Sequence, residues 1–97
     1  MAQIVYSARA LDDLERVFRF LAARDAAAAG SSGTAIRSAV EMLALHPFAG
    51  RRIKGEIREL VISFGKTGYV ALYRVVPARD EVRILAIRHQ RELDYPL

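Results

Sequence analysis

Ile57-Arg58-Glu59-Leu60-Val61-Ile62-Ser63, Tyr69-Val70-Ala71-Leu72-Tyr73-Arg74-Val75 and Val82-Arg83-Ile84-Leu85-Ala86-Ile87 are three runs rich in β-branched, aromatic and aliphatic side chains. Gly65-Lys66-Thr67-Gly68 and Pro77-Ala78-Arg79-Asp80 separate them, and both tetrapeptides carry turn-forming residues. Strand-length runs joined by turns this short predict an antiparallel meander. The last strand passes directly into Arg88-His89-Gln90-Arg91, so a cationic cluster sits at its end.

Upstream, Gln3-Ile4-Val5-Tyr6 reads as a short first strand, and Ser7 as an N-cap whose hydroxyl can accept an orphan amide. Leu11, Leu14, Val17, Phe18 and Leu21 recur at helical spacing, opposed by Asp12, Asp13, Glu15, Arg16 and Arg19. The pattern predicts an amphipathic helix over roughly Ala8 to Arg24. Asp25 with four following alanines predicts a second helix, although Gly30-Ser31-Ser32-Gly33 resembles a linker. Ile36, Val40 and Leu43 extend back at the same spacing to Gly33 and Ala29, small residues that suit close helix packing. The expectation is one helix from about Ala26 to His46, weakened near Gly30, with Pro47 forcing the stop. Arg51 to Gly55 reads as a basic loop. Leu14, Phe18, Leu21, Ile36, Val40, Leu43, Leu60, Ile62, Leu72, Leu85 and Ile87 are the expected core. Truncating Phe18 or Leu85 to alanine would then cost ~3–5 or ~2–5 kcal/mol.

Ninety-seven residues suit one domain, residues 1–97, with one modest core. The absence of cysteine excludes disulfides and thiolate metal sites and suits a reducing cytoplasm. Two histidines, His46 and His89, offer little to a metal, and no cofactor is expected. No run approaches the ~18 apolar residues of a membrane span, and no secretory leader precedes the first strand. The net charge of +4 is uneven: residues 1–48 carry five basic and five acidic side chains, residues 49–97 ten against six. A basic half suits nucleic acid or an acidic protein as partner, and equally a solvated sheet surface.

A short strand, a helical hairpin, a Leu43-x-x-His46-Pro47-x-x-Gly50-Arg51 turn, and a meander ending in Arg88-His89-x-Arg91 resemble the RelE/ParE superfamily of toxins from type II toxin–antitoxin pairs. The resemblance covers nearly the whole chain. It implies an α+β fold with a short N-terminal strand, a two-helix antiparallel hairpin, then a three-stranded antiparallel meander. It also implies a cognate antitoxin, acidic and partly disordered, as partner. The long hairpin, about forty residues from Ser7 to His46, is typical of ParE-like members, which bind and poison DNA gyrase. The alternatives are a RelE-like endoribonuclease acting on ribosome-bound mRNA, and a non-toxic member that only binds its antitoxin.

Candidate chemistry centres on the cations. Alternation places Arg58 on the face of Leu60 and Ile62. The meander is expected to bring Arg58 near Arg88 or His89, with Arg51, Arg52 and Lys54 entering from the loop and Arg91 adjacent. Such a cluster could bind phosphates, with His89 moving a proton near neutral pH. Arg58 and His89 match residue types used by the ribonucleolytic branch, although the lysine cluster is reduced to Lys54 and the late aromatic, Tyr95, lies six residues past His89. A plain surface histidine at a strand end fits His89 as well. Gly65-Lys66-Thr67-Gly68 mimics the tail of a phosphate-binding loop, but Leu60 replaces the upstream glycine and a strand follows instead of a helix. Adjacent Asp12 and Asp13 do not face each other on a helix, so they make no acid–base pair.

Overall fold

The computed structural model describes residues 1–64 and 67–89. Strand β1 (Gln3–Tyr6) leads into helix α1 (Ala8–Ala22), helix α2 (Ala26–Glu41) and a short 3₁₀ turn at Met42–Ala44. Strands β2 (Arg51–Lys54), β3 (Ile57–Phe64), β4 (Thr67–Val76) and β5 (Glu81–His89) follow. The five form one sheet in the order β1-β5-β4-β3-β2, antiparallel throughout except that β1 runs parallel to β5. The expected α+β architecture is present, with one addition. Arg51–Lys54, read as a loop, is a fourth meander strand. It turns back on β3 at Gly55, whose φ of 54° lies where glycine has no steric penalty. Of the phosphate-loop mimic, Gly65 and Lys66 lie outside the described residues, and Thr67 and Gly68 already belong to β4, paired with Phe64 and Ser63.

The Ser7 hydroxyl caps α1 by accepting from the Ala10 amide at 3.0 Å. Helix α2 runs straight through Gly30 and Gly33; Ala29, Ser32, Ile36 and Val40 form its buried stripe, which Leu43 of the following 3₁₀ turn continues. Gly33 is not required for close packing, since a Cβ there would meet nothing within 4 Å. Instead of continuing to His46, α2 tightens at Met42, and Ala44 O accepts the Ala2 amide at 2.9 Å, tying the hairpin's end to the start of β1.

Two core expectations fail, each for a physical reason. Phe18 is 51% exposed, because α1 turns Ala10, Asp13 and Val17 to the interior with Leu14 and Leu21 packed beside them, and leaves Leu11 and Phe18 on the outer side. Small Ala10 admits the helix close to the sheet, and the phase shift turns Leu11 and Phe18 outward. Leu85 is only partly buried, while Ile84 is wholly so. The register shows why: Leu72 pairs with Ala86 but Tyr73 pairs with Ile84, leaving Leu85 as an extra residue in a β-bulge. The bulge breaks the two-residue alternation, so Ile84 and Ile87, three apart, both enter the core. The remaining expected residues are buried or pack against the core, including Leu72 on the sheet's other face.

Candidate functional site

The structure places the candidate residues in two separate corners. At the first, Arg58 opens β3 opposite Tyr73. Its guanidinium donates to the Gly50 carbonyl at 2.8 Å and to the Phe48 carbonyl at 3.4 Å, and lies 4.8 Å from the centre of the exposed Phe48 ring. The same turn is held from beneath, where the Gly50 amide donates to the buried Tyr73 hydroxyl at 2.8 Å. Burial pushes the Tyr73 hydroxyl pKa up, opposed by the Gly50 hydrogen bond and by the Arg58 charge. Arg58 therefore acts as a clamp for the entry into β2. Arg51 pairs with Glu59 at 3.1 Å on the opposite face, Arg52 is exposed directly across from Arg58, and Lys54 is exposed after a register break in β2.

At the second corner, α1 reaches the outer half of β5. Strand β1 pairs only with Glu81 to Ile84, so among the described residues no strand flanks the next β5 residues on that side. Side chains of α1 and its cap take its place. Ser7 Oγ donates to Leu85 O at 3.1 Å, and Asp13 Oδ2 accepts the Ile87 amide at 2.9 Å. Asp13, buried to 6% exposure, also lies 3.5 Å from Arg88 and 3.6 Å from Arg16. Sequence reading put Asp13 on the solvent face. Its spacing with Ala10 and Val17 was the signal that marks the buried stripe. The bulge turns His89 toward Tyr69, whose ring it meets edge-on with centroids 5.2 Å apart, while Arg88 takes the other face.

These corners do not converge. In a meander alternate strands run parallel, so the start of β3 aligns with the start of β5. Arg58 is level with Tyr73 and Ile84, and His89 with Tyr69 and Ile62. Four residues of strand separate the two levels, about 13 Å. Arg91 and Tyr95 lie outside the described residues. Among the described residues, no three His, Asp or Glu side chains are grouped as metal ligands.

A third feature escaped the sequence reading. A groove of about 520 Å3 opens between the hairpin and β1, with Ile4 and Tyr6 from the strand, Leu11, Leu14 and Phe18 from α1, and Arg37 and Glu41 from α2. Burial raises the Tyr6 hydroxyl pKa, with Arg37 opposing and Glu41 reinforcing the shift.

The family described as the ParE toxin of type II toxin–antitoxin system, parDE, matches residues 4–94. The chain belongs to that family. Among curated relatives, Toxin RelE3 of Caulobacter vibrioides is 42% identical over 92 residues, covering 95% of this chain and 98% of the relative. Toxin RelE1 of the same organism is 33% identical over 89 residues, covering 92% and 94%. A solved chain of the chromosomal ParDE system from P. aeruginosa superposes with a TM-score of 0.75 over 92% of this chain and 96% of that one. At 22% identity that likeness speaks to fold alone. ParE-family membership makes the chain a toxin component and implies an antitoxin partner. Among the described residues, no helix is long and apolar enough to cross a membrane.

Proposed function

We propose that this ParE-family toxin acts in the cytoplasm by binding its target, with DNA gyrase as that target, and performs no RNA cleavage. The observation that supports this reading is the separation of Arg58 from His89. Phosphodiester cleavage needs a charge-stabilising donor and a proton-moving group within hydrogen-bonding reach of one phosphate. About 13 Å of strand lies between these two, and the Arg58 guanidinium already serves the Phe48 and Gly50 carbonyls. The exposed cations at Arg51, Arg52 and Lys54 then act as binding surface, while Arg88, largely buried against Asp13, serves the fold. A cognate antitoxin, acidic and partly disordered, neutralises the toxin; charge-steered association should weaken as salt rises.

The competing reading is the ribosome-dependent endoribonuclease, favoured by the RelE names of the Caulobacter relatives. Expression without any partner protein separates the two, with growth, DNA supercoiling and mRNA ends read together. Gyrase-linked DNA damage with intact messages is expected, and His89→Ala should remain toxic. Cleaved ribosome-bound messages, or a folded, antitoxin-binding His89→Ala protein that no longer arrests growth, would overturn the proposal. No growth arrest by the unaltered chain would indicate a member that only binds antitoxin.

A further inference from the structure

The seven residues that follow α2, Met42 to Phe48, leave three large apolar side chains in solvent: Met42, Leu45 and Phe48 are exposed, while Leu43 is fully buried. A 3₁₀ turn eclipses side chains three apart, so Met42 and Leu45 share one outward side. Phe48 comes next, in a turn closed by the Ala49 amide donating to His46 O at 3.1 Å. Although 61% exposed, Phe48 is held from several directions. The Arg58 guanidinium stacks on the ring at 4.8 Å and donates to Phe48 O and Gly50 O, and the Tyr73 hydroxyl fixes Gly50 from beneath. Such a ring has little freedom left to lose on binding. Residues 42–55 contain no Asp or Glu, and Arg51, Arg52 and Lys54 near their end are exposed.

We propose that this corner meets the target: Phe48, with Leu45 and Met42 from the preceding turn, docks in an apolar pocket on an acidic protein face, and Arg52 and Lys54 form the cationic rim. The inference rests on the gyrase reading above and deepens it by naming the contact. Binding energy concentrates in rigid aromatic anchors ringed by polar residues, and rim charge selects the partner's sign and speeds encounter. Arg58 is then a positioning residue that acts through the Phe48 ring. Single strands of nucleic acid are held by aromatic rings and cations, so the exposed Met42 and Leu45 favour a protein partner. Phe20 supplies the contrast. It is 53% exposed and stacked by Arg24 at 4.3 Å, yet it stands on α1 among charges of both signs, Glu15, Arg19 and Asp25.

The test is binding of the toxin to purified gyrase holoenzyme by surface plasmon resonance, with inhibition of supercoiling measured alongside. Phe48→Ala should lower affinity by about thirtyfold or more and relieve inhibition in step, while Phe20→Ala should behave as the unaltered toxin. Leu45→Ser touches no part of the Arg58 clamp, so its fold is not at risk, and it should lose about fivefold. Lys54→Glu should slow association and flatten its dependence on salt. Circular dichroism and binding to the protein encoded beside this gene verify each variant. Full gyrase affinity in folded Phe48→Ala and Leu45→Ser, or an equal loss in Phe20→Ala, would overturn this surface and leave the gyrase reading standing. An equal loss of affinity for the neighbouring protein, or for DNA without gyrase, would overturn it by assigning the corner to another partner. An unaltered toxin that neither binds nor inhibits gyrase would overturn both.

Discussion

Replacing Asp13 by alanine tests whether a buried carboxylate on α1 holds the outer half of β5. The first loss is the acceptor for the Ile87 amide, a buried hydrogen bond of 2.9 Å. Leaving that N–H unsatisfied costs roughly 1–3 kcal/mol. The second loss is the contact with Arg88 at 3.5 Å, where both side chains are largely buried, 13% and 8% exposed, adding about 1 kcal/mol. Arg9 and Arg16 contribute little, because their side chains are 47% and 43% exposed and screened by solvent. The sum is roughly 2–4 kcal/mol against a total stability of about 5–15. Asp13→Asn keeps an acceptor of the same shape and loses the charge, so it should cost clearly less. Equilibrium urea unfolding followed by circular dichroism measures both, read as a shift in midpoint at constant slope. If Asp13→Ala loses less than about 1 kcal/mol, or Asp13→Asn loses as much as alanine, the lock is not what attaches the helix to the strand.

Other perturbations read other joints. Gly50→Ala would set a Cβ 2.6 Å from Glu59 O and 2.7 Å from the Tyr73 ring, so the turn must move; about 1–3 kcal/mol should be lost in the same unfolding assay. Ile84→Ala should cost ~2–5 kcal/mol, and Leu85→Ala less, because the bulge places Ile84 in the core and Leu85 outside it. Phe18→Ala should barely change the stability of the isolated toxin yet weaken antitoxin binding measured by titration calorimetry, since the ring lies exposed in the groove. Burial raises the Tyr73 hydroxyl pKa above its ordinary 10.0, so the folded state favours the neutral phenol. That contribution is complete below pH 10 and is lost as pH climbs through the raised value; melting temperatures should fall above pH 10, and Tyr73→Phe should flatten part of the fall.

The features legible in the sequence are those that rest on local chemistry and period. Ser7 at a helix start, Pro47 after a helix end, and short turns between β-rich runs act over a few residues, so strand, hairpin and meander were legible in order. Charge was legible too, since counting cations needs no coordinates. Tertiary structure decided the rest. The phase of α1 depended on how near Ala10 could bring it to the sheet, and residues at helical spacing offer more than one workable stripe. Arg51–Lys54 became a strand because β3 offered an edge to pair with, which its own basic composition does not announce. One extra residue at Leu85 reversed the alternation of β5, and alternation alone cannot register a bulge. The separation of Arg58 from His89 followed from strand direction: two residues near strand ends can lie at opposite ends of a sheet, and only the register tells which.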